Sequence, residues 1–142
     1  MSVTLVEGRA PTVLVVDDNL QNREVAEGNL IGAGYAVIQA EGGAEALALL
    51  TARRPDLVLL DVLMPGMDGY ETCRRLRAMP ALAHVPVVFL TARKSSADVR
   101  AGLEAGGDDF IVKPFDPDKL IERIEYWTGR RVGEAPKNTS RF

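Results

Sequence analysis

Five side chains of this sequence could do chemistry together: Asp17, Asp18, Asp61, Thr91 and Lys113. Asp61 follows the unbroken apolar run Leu57-Val58-Leu59-Leu60, the mark of a strand buried on both faces of a parallel sheet. A charge placed directly after four core residues is costly unless something uses it. A lone strand-end aspartate would be read as a turn or cap residue, but this one has company. Asp17 and Asp18 close the run Thr12–Val16, Thr91 closes the run that starts at Pro86, and Lys113 closes Asp109–Val112. In a parallel sheet these ends share one edge, where ligands bind in open α/β folds. Three carboxylates held there repel and raise one another's pKa values. A divalent cation removes that conflict, and carboxylate, carbonyl and water donors suit hard Mg2+. An Asp61 oxygen is then left to act as a nucleophile, with Lys113 and the Thr91 hydroxyl to hold phosphoryl oxygens. The chemistry is in-line phosphoryl transfer to a carboxylate. Singly, Asp18 reads as a turn residue, Thr91 as a cap and Lys113 as a solvated charge. All five falling at the ends of four strands argues against coincidence.

The elements that position them alternate strand and helix five times. Asn19 is a helix N-cap, and the helix it opens runs to about Ala33, weakened by Gly28 and Asn29. Tyr35 to Ala40 reads as a second strand. Ala44, Leu47, Ala48 and Leu50 have helical spacing, and that segment is expected to end near Arg54-Pro55. After the strand at Leu57, Asp68 and Glu71 signal a helix through about Ala78; Ser95 and Asp98 repeat the signal, with Gly106 and Gly107 as the stop. Asp116 with Pro117 opens the last helix, whose stripe of Leu120, Ile121, Ile124 and Trp127 is core. Short connections and right-handed crossovers make this a doubly wound five-stranded parallel α/β sandwich with helices on both faces. Residues 1–11 read as a lead-in and 129–142 as a tail or the start of a linker, with one domain over 12–128 between them.

The totals exclude several classes. At 142 residues with 46% hydrophobic content, the chain suits one domain with a full core. A net charge of −3 without a basic stripe speaks against nucleic-acid binding through these residues. No apolar run is long enough to span a bilayer, and no charged-then-apolar signal opens the chain, so no membrane association and a cytoplasmic location are expected. Cys73 is the single cysteine and His84 the single histidine, too few for a disulfide or a Cys/His metal centre.

The pieces Val15-Val16-Asp17-Asp18-Asn19, Asp61-Val62-Leu63-Met64-Pro65-Gly66-Met67-Asp68-Gly69, Leu90-Thr91-Ala92 and Asp109-Phe110-Ile111-Val112-Lys113-Pro114-Phe115 resemble, in order and spacing, the receiver domains of two-component response regulators. The resemblance covers about Thr12 to Thr128. It implies the flavodoxin-like, CheY-like strand order 2-1-3-4-5. It also implies Asp61 as phosphoacceptor from a phosphohistidine on a sensor histidine kinase or phosphotransfer protein. Asp18 would ligate Mg2+ directly and Asp17 largely through water, with Asp61 and the backbone carbonyl of Leu63 as further ligands. Thr91 and Lys113 would hold the phosphoryl group, and Phe110 would join Thr91 as the switch. A homodimer or an output domain would meet the face made by the fourth helix, fifth strand and fifth helix. Catalysis would be limited to the domain's own Mg2+-dependent phosphorylation and dephosphorylation. Three positions depart from the family pattern: Phe110 stands where Tyr is also common, Gly107 where Ala is usual, and Asn29 where an apolar residue is usual.

A haloacid-dehalogenase-like phosphatase would also form an aspartyl-phosphate with Mg2+, but its nucleophile follows the first strand in an Asp-x-Asp pattern, whereas Asp17 and Asp18 are adjacent. A degenerate binding module would lack site residues, and all are present here. A flavin site would need a Ser/Thr/Gly-rich loop after the first strand. Leu63 and Arg93, each two residues past Asp61 and Thr91, flank the expected path of a hydrolytic water. Leu63 cannot orient it, and Arg93 either favours the phosphoryl dianion or points to solvent, so slow loss of the phosphoryl group is expected.

Overall fold

The computed structural model describes residues 10–129 of the chain. The lead-in expected over 1–11 and the tail expected over 129–142 lie almost wholly outside the described residues. The elements are β1 (Thr12–Val16), α1 (Leu20–Gly32), β2 (Ala36–Ala40), α2 (Gly43–Leu50), β3 (Leu57–Leu60), α3 (Gly69–Arg77), a 3-10 turn (Pro80–Leu82), β4 (Val87–Thr91), α4 (Ser96–Glu104), β5 (Asp109–Val112) and α5 (Pro117–Thr128). All four strand pairings are parallel, and the order across the sheet is β2-β1-β3-β4-β5. This is the doubly wound parallel sheet expected from the alternation of elements, in the 2-1-3-4-5 order that the resemblance implies.

The strand sequences explain the two-sided core. Successive side chains on a strand point to opposite faces, so each continuous apolar run divides between two layers. Leu14, Val16, Val58, Leu60, Val87 and Phe89 pack under α2, α3 and the α4 side, against Ala46, Leu50, Cys73 and Leu76. Val13, Val15, Leu57, Leu59, Val88 and Leu90 pack against Ala26 and Leu30 of α1 and Leu120 and Ile124 of α5. The helix starts follow their capping residues: Asn19, Asp68, Ser95 and Asp116 each accept a backbone N–H of the first turn. Ser95 and Asp98 form the complete reciprocal box, whereas Glu71 turns outward to Arg74 and Arg75.

One boundary differs from expectation. α2 stops at Leu50 rather than near Arg54. The Thr51 hydroxyl donates to the Ala48 carbonyl at 2.7 Å, and the N–H groups of Ala52 and Arg53 both turn back to Leu49. The chain thereby leaves the helix before Arg54, whose position ahead of Pro55 disfavours helical backbone.

Gly107, the departure from the family's Ala, has a packing reason. A Cβ there would lie 2.4 Å from Phe89 Cε2. Phe89 is 1% exposed, and its ring centroid stands 5.7 Å from that of Tyr70 and 5.8 Å from that of Phe110. The ring has no room to retreat, so it requires glycine in the turn before β5. Gly107→Ala is therefore expected to lower stability by about 1–3 kcal/mol, as overpacking does, with recovery when Phe89→Leu is added. Urea unfolding of the single and double variants reads this directly; an unchanged or higher midpoint for Gly107→Ala would contradict it.

Candidate functional site

The register of the sheet builds the site. Val16 pairs with Leu60, so Asp17 and Asp61 are the next residues on neighbouring strands, about 4.8 Å apart in the pairing direction. The Asp61 N–H donates to the Val16 carbonyl at 3.0 Å, the last rung between them. β1 is also where the strand order reverses, since β2 lies on one side of it and β3 on the other. Such a switch point opens a crevice at the carboxyl edge. Carboxylate oxygens of Asp17, Asp18 and Asp61 come within 4.8 Å of one another there. On the far side, Thr91 pairs with Val112, and the Lys113 N–H donates to the Thr91 carbonyl at 2.8 Å. The five residues singled out in the sequence thus meet at one edge.

Their charges are unequally placed. Asp17 is buried and Asp18 exposed. Asp17 accepts the Asn19 N–H on Oδ1 at 2.9 Å and Lys113 Nζ on Oδ2 at 3.0 Å. Lys113 Nζ also stands 3.5 Å from Asp61 Oδ2, while Asp61 Oδ1 accepts the Val62 N–H at 2.7 Å. Burial holds the Asp61 carboxyl above the usual aspartate range. Asp17 adds to that rise, while Lys113, the Val62 N–H and the Thr91 hydroxyl oppose it without cancelling it. One lysine facing two buried carboxylates leaves negative charge in excess. Hard oxygen donors at this spacing suit a small divalent cation that keeps several of its waters.

The remaining predicted residues divide. Leu63 stands in the loop after Asp61 with its side chain 56% exposed. Arg93 is exposed, and its guanidinium pairs with Asp98 of α4 at 3.1 Å. Phe110 is buried within the aromatic row, paired in register with Phe89. Thr91, two residues beyond Phe89, shares that face of the sheet. Cys73 is buried in α3, its thiol pushed up to about 11 by burial, and His84 is exposed ahead of β4; neither takes part.

Two contributors were not anticipated as such. Gly69, which the sequence offered only as the last residue of the Asp61–Gly69 motif, supports the acceptor: a Cβ on it would lie 2.2 Å from the Asp61 carbonyl oxygen and 2.8 Å from Val62 Cα. The signal was a glycine at a first helical position, where propensity disfavours it. Arg23 is a buried arginine whose guanidinium donates to the Asp17 carbonyl at 2.7 Å. No spacing rule points to it, because its partner is backbone.

Comparison with known proteins agrees with this geometry. The family model described as the response regulator receiver domain matches residues 13–125. The transcriptional regulatory protein AfsQ1 of Streptomyces coelicolor is 43% identical over 130 residues, covering 92% of this chain and 56% of the relative. The response regulator PleD of Caulobacter vibrioides is 43% identical over 116 residues, 82% of this chain and 26% of the relative. The chain thus spans about half the length, or less, of these curated relatives. Among solved structures, chemotaxis protein CheY4 of Vibrio cholerae superposes with a TM-score of 0.79 at 34% identity, covering 82% of this chain and 97% of that one. The receiver domain of a sensor histidine kinase from Pseudomonas aeruginosa PAO1, described with a magnesium ion coordinated in its active site cleft, gives 0.80 at 33% identity, covering 84% and 98%. The chain belongs to the response regulator receiver domain family, the CheY-like signalling domains of two-component systems.

Proposed function

We propose that this domain accepts a phosphoryl group on Asp61 from a phosphohistidine of a sensor histidine kinase or phosphotransfer protein, with Mg2+ bound by the acidic cluster. The single observation that carries the reading is the convergence of Asp17, Asp18 and Asp61 with Lys113 bridging two of them. An Asp61 oxygen forms the new P–O bond as the P–N bond of the donor breaks and the donor imidazole recovers a proton. Asp17, Asp18 and Asp61, with the Leu63 carbonyl, would hold the cation. The cation's part is to neutralise charge shared between the carboxylates and the phosphoryl oxygens. Lys113, already within reach of Asp61, turns to the phosphoryl group, and the Thr91 hydroxyl donates to another of its oxygens. Thr91 and Phe110 share a sheet face with the aromatic row, so a shift of Thr91 toward the phosphoryl group would be felt by α4, β5 and α5. That face is the proposed contact for a second copy or an output domain. A cytoplasmic setting fits such a partner; no helix among the described residues is long and apolar enough to cross a membrane.

Intact-mass measurement after incubation with acetyl phosphate and Mg2+ tests the acceptor. Wild type should gain one phosphoryl group and Asp61→Asn none; equal incorporation by both would end the assignment.

The charge balance gives a second expectation. A carboxyl whose folded pKa lies above its unfolded value binds its proton more tightly when folded, so its contribution to stability is lost as pH rises through the folded value. Without metal, Asp61→Asn should therefore be more stable than wild type at neutral pH, and the gap should close as pH falls and Asp61 takes up its proton. Mg2+ should stabilise wild type more than the variant. Chemical denaturation in chelator across pH reads both, and a less stable Asp61→Asn at neutral pH would contradict the burial argument.

Hydrolysis should be slow. Leu63 offers no group to orient a water, and Arg93 is engaged with Asp98. Leu63→Asn supplies an amide at the expected path and should speed phosphate loss by about tenfold, below the roughly 10²–10⁴-fold of a full general acid or base because an amide orients water without taking its proton. Loss of label after donor removal is the measurement, and equal decay of the two proteins would remove Leu63 from that role.

A further inference from the structure

The buried arginine of α1 meets the acidic cluster at a main-chain carbonyl, that of Asp17. Arg23 is 7% exposed, and its hydrogen-bond partners are neutral: the Asp17 carbonyl at 2.7 Å from one terminal nitrogen, and Gln39 Oε1 at 2.8 Å from Nε. The Gln39 amide in turn donates to the Glu27 carboxylate, so α1 and β2 together hold the guanidinium in one orientation. A buried cation spent on a main-chain carbonyl needs a reason.

The reason lies in the peptide plane. The Asp17 carbonyl belongs to the planar unit that leads into Asp18. Asp17 is fixed at every other polar point: its N–H donates to the Ala40 carbonyl at 3.2 Å, Oδ1 accepts Asn19, and Oδ2 accepts Lys113. Asp18 differs: its exposed carboxylate has no hydrogen-bond partner among the described residues. The backbone fixes the direction in which its side chain leaves the main chain, and the hydrogen bond from Arg23 holds the peptide unit immediately before it. We propose that Arg23 is a positioning residue that aims the Asp18 carboxylate into the cation site, with Gln39 and Glu27 as its supports. The inference rests on the reading that this cluster binds Mg2+ and deepens it.

A bland alternative is that Arg23 only ties α1 to the sheet. It predicts lost stability with unaltered cation affinity in the folded protein. Positioning predicts the opposite emphasis. Outer residues that orient metal ligands change affinity by about 10- to 100-fold, so Arg23→Met should raise the Mg2+ dissociation constant by at least about tenfold. Arg23→Lys retains the charge but has no planar fork to serve both the Asp17 carbonyl and Gln39, and its affinity should fall nearly as far. Gln39→Leu leaves the bond to Asp17 but removes its support, and should give an intermediate loss. Mg2+ titration followed by the backbone amide resonances of Asp18 and Asn19 supplies dissociation constants for the folded protein. Unfolding midpoints in chelator separate these from stability. Wild-type affinity in Arg23→Met would overturn the proposal, and wild-type affinity in Arg23→Lys would show that charge rather than aim is what matters, overturning it equally. Failure of wild type to bind Mg2+ is a distinct result, which would overturn the cation reading itself and this inference with it.

Discussion

The mutual repulsion of carboxylates at one edge of a parallel sheet is the constraint on which the rest of this structure turns. Asp17 and Asp61 follow paired core residues, Val16 and Leu60, and cannot separate without breaking the register of β1 and β3. Both are largely removed from water, so little solvent screens them. Among the described residues Lys113 is the cation in contact with both, and it reaches them from the end of β5, at the far edge of the sheet. The site therefore holds its negative charge in tension against the packing beneath it. A new charge brought to this edge would change that balance, the kind of local charge event that biases a two-state element.

The surrounding groups hold the site rigid rather than fill it. Gly69 lets the loop from β3 fold back onto the Asp61 carbonyl, where any side chain would collide. The Asn19 N–H and the Arg23 guanidinium fix Asp17 from two directions. At the opposite end of the sheet, Arg77 joins the Gly106, Leu82 and Val85 carbonyls and pairs with Asp108 at 2.7 Å, tying α3 to the starts of β4 and β5. With that end clamped, movement is directed to the carboxyl edge and the segments beside it.

Between the edge and α4 runs a packed aromatic path. Tyr70, Phe89 and Phe110 touch in sequence, and the Tyr70 hydroxyl donates to the Asp98 carbonyl at 3.1 Å. Asp98 is also the capping partner of Ser95 and the ion-pair partner of Arg93. The start of α4 is thus held by groups from α3 and from the loop after Thr91. Gly102 and Gly107 make the space that Phe89 occupies, so the departure from the family at Gly107 is compensated within this chain.

The sequence by itself determined the order and type of the strands and helices, and the five residues of the carboxyl edge. Buried strands announce themselves as apolar runs, and a polar residue at the end of each is legible because the run stops there. The helix starts were legible for the same local reason: Asn19, Ser95 and Asp116 act on groups within three residues of themselves. What only the tertiary structure decided is whatever depends on a partner distant in the chain. The early end of α2 is a local exception, made by the Thr51 hydroxyl on the Ala48 carbonyl and by the Ala52 and Arg53 N–H groups on Leu49. The need for glycine at position 107 is set by the ring of Phe89. Arg23 is the plainest case, since its partners are a carbonyl, which has no sequence signature, and Gln39 on the neighbouring strand. Local chemistry is written in the types and spacing of residues, whereas a close approach across the fold exists only once the sheet has brought its strands together.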